Sequence, residues 1–305
     1  MLDSRVHFIY LCVVFLMLGF GILIGSSLYL PAEIIHQQRS LQSLQAQVDG
    51  AVQDGRIAKA RLSEVEDGLE TMRPGLVRGV LTGRRIDIVQ CSDYPQASVA
   101  ALNALQDAGA TVAATVTIND QLFSMSPNQK EDLRSQLTHA DPTLTGATDD
   151  TADMVVNVIG RALLHGVATG SPSVEIIRIL EREGLISVNG DVSTATTSFV
   201  LVGGRNDDGL PDESDVSGVE GRLADQLSAP TPGVQVTIVG CEPLDATYSS
   251  IPEFQKSEIA TVDCIDHPSG KIALPFAIRG DHDDFGLKAT AHRVVPQDIT
   301  VGRTP

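Results

Sequence analysis

The chain has 305 residues, with 22 Lys and Arg against 39 Asp and Glu, a formal net charge of −17. That balance argues against nucleic acid and anionic lipid headgroups as partners, because both repel an acidic surface. Four cysteines are too few for a disulfide-stapled scaffold, so stability must come from an apolar core.

Val6 to Leu30 contains no Asp, Glu, Lys or Arg and is long enough, at about 25 residues, to cross a bilayer as a helix. Gly25-Ser26-Ser27 resembles a signal-peptidase site, but the apolar run exceeds the roughly 7–15 residues of a cleavable signal core. The reading is an uncleaved single-pass anchor over 1–31, with Arg5 and the amino terminus cytoplasmic and everything after Leu30 extracytoplasmic. Gly21 and Gly25 form a GxxxG element that lets two such helices approach closely in lipid.

A heptad pattern follows over 32–75. With Ile34 at position a, the a positions hold Ile34, Leu41, Val48, Gly55, Leu62 and Leu69, and the d positions hold Gln37, Leu44, Ala51, Ala58, Val65 and Met72. Gln, Arg, Glu, Asp and Ser fill most of the rest, which is the pattern of a coiled coil. The alternative is an amphipathic helix packed on its own domain. Gly50, Gly55 and Gly68 weaken the helix, but anchors holding two chains in one membrane raise their effective concentration, so the expected form is a parallel homodimer. Arg73-Pro74-Gly75 is expected to end the helix.

Over 76–305 the periodicity changes. Ile86–Gln90 reads as a strand, Gln96–Ala108 as a helix and Thr111–Ile118 as a strand of β-branched residues. Asn119-Asp120 turns the chain into helices near Asn128–Leu137 and Ala152–Ala168, separated by a polar loop from His139 to Asp150. A further helix from Ser173 to Gly184, short strands at Leu185–Val188, Ser198–Val202 and Val234–Val239, and a helix near Val219–Leu227 complete the pattern. Strands apolar on both faces alternating with helices predict an α/β domain with a mainly parallel sheet covered on both sides. They do not fit a membrane barrel, which needs segments of about ten residues alternating apolar and polar.

In such a sheet ligands bind beyond the carboxyl ends of the strands. Those ends deliver Cys91-Ser92-Asp93, Gly203-Gly204-Arg205-Asn206-Asp207 and Gly240-Cys241-Glu242. Cys91 and Cys241 are candidate thiolate ligands for copper(I) or zinc if strand order brings them together; otherwise they are ordinary loop residues. Cys264-Ile265-Asp266-His267 has a Cys-x-x-His spacing without a second pair and reads as a turn with an incidental thiol. Asp281, His282, Asp283 and Asp284 read as a solvated acidic loop, and His165 as a packed or surface residue on an apolar helix. GxGxxG after the first strand, GxxxxGK[ST], HExxH and GxSxG are all missing, so the expected role is not enzymatic and requires no cofactor.

The anchor end Gly21–Ser26, the stalk, Val80–Ile86, Ala108–Val116, and above all Thr261-Val262-Asp263-Cys264-Ile265-Asp266 followed by Gly270-Lys271-Ile272-Ala273-Leu274 resemble the MctB copper transport family, which includes the SteB cell-division proteins. A glycine-tyrosine-glycine element common near the end of such proteins stands here as Asp284-Phe285-Gly286. The resemblance implies copper efflux or homeostasis, with assignment to the outer membrane. Its other branch implies a scaffold that binds a membrane-protein partner and regulates cell-wall cleavage at division. It supplies no catalytic residue. Thr261, Asp263 and Asp266 either line a partner or ligand site or form a turn whose carboxylates satisfy backbone amides.

Overall fold

The computed structural model describes residues 4–122, 124–144, 150–166, 172–206, 213–229 and 235–297, and within these not the side chains of 4–5, 26–43 and 213–218. The chain divides into two units, Met1–Val65 and Glu66–Pro305.

The first unit is helical throughout its described length. Helix α1 (Ser4–Val77) carries the apolar segment, whose span-length part is Val6–Gly25, and continues without a break through the heptads. It does not stop at Arg73-Pro74-Gly75 but runs on to Val77. Proline removes one helical hydrogen bond but does not forbid a last turn, and Val77 is completely buried, so tertiary packing holds that turn in place.

The second unit begins with the foot of α1 and continues through β1 (Arg85–Gln90), α2 (Pro95–Asp107), β2 (Thr111–Ile118), α3 (Pro127–Ala140), α4 (Thr151–His165) and α5 (Pro172–Arg182). Next come β3 (Ile186–Gly190), β4 (Ser198–Val202), α6 (Glu213–Ser228) and β5 (Thr237–Cys241), then α7 (Ile251–Lys256), β6 (Ala260–Val262), α8 (Pro268–Arg279) and β7 (Asp284–Phe285). The strands form one seven-stranded sheet in the order β3-β2-β1-β4-β5-β6-β7. Every strand pairing within it is parallel except β2 with β3, so the expected mainly parallel α/β sheet is present with one antiparallel edge.

Two core layers cover the faces. Phe199 and Leu201 of β4 join Leu133, Ile159, Ile176, Leu223 and Phe254 from α3 to α7. Val200 and Val202, alternate residues of the same strand, join Ala101, Ile272, Phe276 and Val77 from α2, α8 and the end of α1. This period-two split, with both sides buried, is why the strands read as continuous apolar runs.

Some boundaries differ from the expectation. β5 lies at Thr237–Cys241 instead of starting at Val234, because the ladder with β4 pairs Ser198 with Thr237 and Val202 with Cys241; Val234 itself lies outside the described residues. The helix expected to reach Ala168 ends at His165, and residues 167–171 lie outside the description, as do 145–149 of the expected polar loop. Thr261 lies in a strand and not in a turn. Asp87, buried in the middle of β1, sits at a register shift: its Oδ1 accepts from Ala114 N at 3.1 Å and its Oδ2 from Thr196 Oγ1 at 2.5 Å. Its carboxyl stands in for the carbonyl that the irregular ladder fails to supply.

The foot of α1 is fixed to this domain by charge as well as by packing. Lys271 of α8 reaches Glu70 at 3.5 Å, His267 reaches Glu66 at 3.3 Å, and Arg73 pairs with Glu70 at 3.0 Å and with Asp107 of α2. Leu69 is half-buried against the layer of α2 and α8. The end of the heptad stripe therefore packs on its own chain.

Candidate functional site

Strand order reverses between β1 and β4, where connections leave in opposite directions and open a crevice at the carboxyl ends. A cleft of about 520 Å³ lies there, lined by Ser92, Asp93, Thr117, Ile118, Asn119, Asp120 and Asn206. Beneath it lies Arg205, whose side chain is only 7% exposed. Its guanidinium donates to Asp120 Oδ1 at 3.2 Å and to the Cys91 carbonyl at 3.2 Å, and stands 3.8 Å from Asp93 Oδ1. Asp93 Oδ2 accepts from Asn206 N at 3.1 Å, and the Tyr94 hydroxyl bonds Asn206 Oδ1 at 2.9 Å. The cleft thus presents carboxylate, amide and hydroxyl groups over a buried cation. Such oxygen-rich lining suits hard cations and hydrogen-bonding partners better than soft copper(I).

Next to it a polar network ties β4 and β5 to the C-terminal arm. Glu242 is fully buried after β5; its carboxylate accepts from Ser249 Oγ and Ser250 N, each at 2.7 Å, and pairs with Lys288. Ser250 Oγ accepts from Gly204 N at 2.7 Å and bonds Glu220 of α6. Gly203-Gly204 therefore spends its amides inside the protein: Gly203 N donates to the Cys241 carbonyl at 2.8 Å. Burial pushes the Glu220 carboxyl up to about 8, against the pull of Ser250 and the Arg205 charge, and Glu242 and Asp93 raise it further. Its Oε1 has no hydrogen-bond partner among the described residues.

The cysteine pair expected from the strand ends does not meet. Cys91 belongs to the layer under α3 to α7 and Cys241 to the opposite layer, with β4 between their strands. All three domain cysteines are buried and free. Burial drives the Cys91 and Cys241 thiols far above their ordinary range and pushes Cys264 up to about 12, so each stays protonated near neutral pH. Cys264 lies against Ser269 Oγ at 3.6 Å while His267 turns to Glu66, so the Cys-x-x-His spacing forms a turn, closed by His267 N to the Cys264 carbonyl at 2.9 Å. Among the described residues no three His, Cys, Asp or Glu side chains are placed to hold one metal ion.

Thr261, Asp263 and Asp266 all face protein partners. Thr261 Oγ1 donates to Asp284 Oδ1 at 2.7 Å, and Asp266 Oδ1 accepts from Leu244 N at 2.8 Å. Asp263, almost wholly buried, accepts from Leu287 N at 2.7 Å and Lys288 N at 3.0 Å. Two glycines make this docking possible. A Cβ at Gly286, where φ is +151°, would fall 1.8 Å from Asp263 Oδ1, and one at Gly270 would fall 2.1 Å from the Cys264 carbonyl. The block at 261–266, Gly270 and the Phe285-Gly286 step thus form one latch. The acidic run beside it is paired rather than merely solvated: Asp283 meets His292 Nδ1 at 3.0 Å and Arg293 at 3.2 Å.

Along the helix, Gly21 and Gly25 are exposed with nothing within 4 Å of a Cβ, and Leu44, Val48, Leu62 and Val65 are exposed. The side chains of Ile34 and Leu41 lie outside the described residues, as does Asp207 at the strand end. Sequence reasoning missed Glu220 and Lys288. An isolated acid on a helix and an isolated lysine near the end of a chain carry no pattern, and only the fold brings them to Ser250 and Glu242.

A family profile described as "Copper transport outer membrane protein, MctB" matches residues 1–296. The chain is 25% identical over 315 aligned residues to proteins named "Copper transporter MctB" from Mycobacterium bovis and Mycobacterium tuberculosis, covering 96% of this chain and 97% of each relative. With a match along nearly its whole length, the chain belongs to the MctB family of copper transport proteins.

Proposed function

We propose that this chain is a membrane-anchored copper-homeostasis protein of the cell envelope, non-enzymatic and dimeric through its stalk, whose α/β domain works as a tethered binding module. The carrying observation is the family match over residues 1–296. The physics favours binding over conduction by a single chain. The one span-length apolar helix found among the described residues, Val6–Gly25, offers almost no polar side chain to line a path for an ion. In this reading the amino terminus is cytoplasmic, the bilayer holds the helix through residue 30, and the domain faces outward. Gly21 and Gly25 allow close approach of two anchors. Thr261, Asp263 and Asp266 serve the binding edge by latching the C-terminal arm beside it.

The test is copper content of the full chain purified in detergent, together with copper tolerance of a strain lacking the gene. Copper sensitivity rescued by the wild-type chain supports the reading; wild-type tolerance with no bound copper overturns it.

A second reading is favoured by the chemistry of the cleft, which offers oxygen and amide groups and no thiolate. There the domain is a scaffold that grips a membrane-protein partner and regulates cell-wall cleavage during division. In-cell cross-linking distinguishes the two: a reproducible protein partner with unchanged copper tolerance supports the scaffold.

A further inference from the structure

The stalk carries an apolar seam that none of the described residues covers. Leu44, Val48, Leu62 and Val65 are each more than half exposed and stand at positions d, a, a and d. Between them Ala51, Gly55 and Ala58 hold d, a and d, and a Cβ at Gly55 meets nothing within 4 Å. Small residues at mid-seam let a second helix come close, and Val52 at e widens the contact; Ile57 at c stands outside it.

The charges beside the seam identify the second helix. Asp54, at g, has Gly50, Ala51, Ile57 and Ala58 three and four positions away; Lys59, at e, has Gly55, Arg56, Leu62 and Ser63. Neither has an opposite charge within helical reach on its own chain. In a parallel, in-register pair a g residue meets the e residue five positions on in the other chain. That spacing sets Asp54 against Lys59 and Arg61 against Glu66, whose other contact is His267 of its own domain, opposite in sign both times, and two-fold symmetry repeats each contact.

We propose that the stalk pairs with a second copy of this chain, parallel and in register, through the seam from Leu44 to Val65 with Asp54–Lys59 and Arg61–Glu66 contacts across it. This rests on the dimeric, anchored reading above, in which one bilayer holds both amino termini and so rules out an antiparallel pair.

The test uses the full chain in membranes, with Cys12→Ser removing the exposed thiol of the span. Ala58→Cys at d and Ala60→Cys at f place a thiol on the seam or opposite it, on the same helix turn. Mild oxidation is expected to give disulfide-linked dimer at position 58, at least about ten-fold more than at 60. In detergent, Asp54→Lys or Lys59→Asp alone is expected to raise the dimer dissociation constant about ten-fold, because two attractions become repulsions. The double exchange Asp54→Lys with Lys59→Asp is expected to return it to within about two-fold. A chain of dimeric mass with equal cross-linking at 58 and 60, or without rescue in the double exchange, overturns this register and leaves the dimeric reading standing. A chain that stays monomeric in both membranes and detergent overturns both.

Discussion

Glu220 sits at the edge of a layer of aliphatic side chains, with Ser250 as its hydrogen-bond partner and Arg205 as its nearest compensating charge. Folding raises its pKa from 4.5 to about 8. Between those values the unfolded chain has lost a proton that the folded chain keeps, so this group lowers stability progressively as pH rises through the window, by a few kcal/mol in all. Glu220→Gln is expected to flatten that part of the profile and raise the unfolding temperature at pH 8 while leaving it little changed at pH 4.5. Thermal unfolding of the detergent-solubilised chain across pH reads this directly. Lys288 is the matching case for a buried anion. Lys288→Met leaves the Glu242 carboxyl fully buried and without its cation, and is expected to cost about 3–5 kcal/mol. Adding Glu242→Gln should recover much of that loss in the urea midpoint, since the amide oxygen can keep the bond from Ser250 N while the amide nitrogen donates to the Ser249 hydroxyl.

At the scale of elements, the end of α1 shows how a helix that reads as pure stalk is partly claimed by its own domain. Glu70 is buried enough to raise its pKa, but hydrogen bonding from Arg73 and the charge of Lys271 outweigh this and hold it below the usual value. Its stabilising contribution is therefore present above pH 4.5 and is lost as pH falls through the lowered value. Hydrogen exchange in residues 66–77 is expected to quicken relative to the sheet strands at acid pH; unchanged protection there would show that packing of Leu69 and Val77 alone holds the foot. Legibility in the sequence varied by element for physical reasons. Thr111–Ile118 and Ser198–Val202 lie where expected because contiguous β-branched and apolar residues leave no helical alternative. The stretch beyond β5 is opaque: β6 has three residues and α7 six, and α8 carries Pro275 in its interior, which hides a helix from any pattern reading.

For the whole molecule, membrane attachment and domain stability are expected to be separable. The apolar part of α1 lies in the unit Met1–Val65, while both core layers are built from residues after Glu66. Deleting residues 1–25 is expected to move the chain from the membrane pellet to the soluble fraction without lowering the unfolding temperature of the domain by more than a few degrees. Retention in the pellet after carbonate washing would mean that another surface binds the bilayer. The anchor, the stripe and the carboxyl-edge residues Asp93, Arg205 and Glu242 were all visible as sequence features. The convergence of those three residues with Glu220 and Lys288 on one cleft and one network was not, because Glu242 and Lys288 are 46 positions apart.

The sequence by itself determined the apolar span, the helical stalk and the alternation of strand and helix, because each is written in propensity and periodicity over about ten to twenty neighbouring residues. Tertiary structure alone decided that Cys91 and Cys241 fall on opposite faces, that β3 runs antiparallel, and that Thr261, Asp263 and Asp266 latch the arm at Asp284–Lys288. Those outcomes depend on strand order and on buried polar groups finding distant partners. Both follow from long-range burial, which no local window of the chain contains.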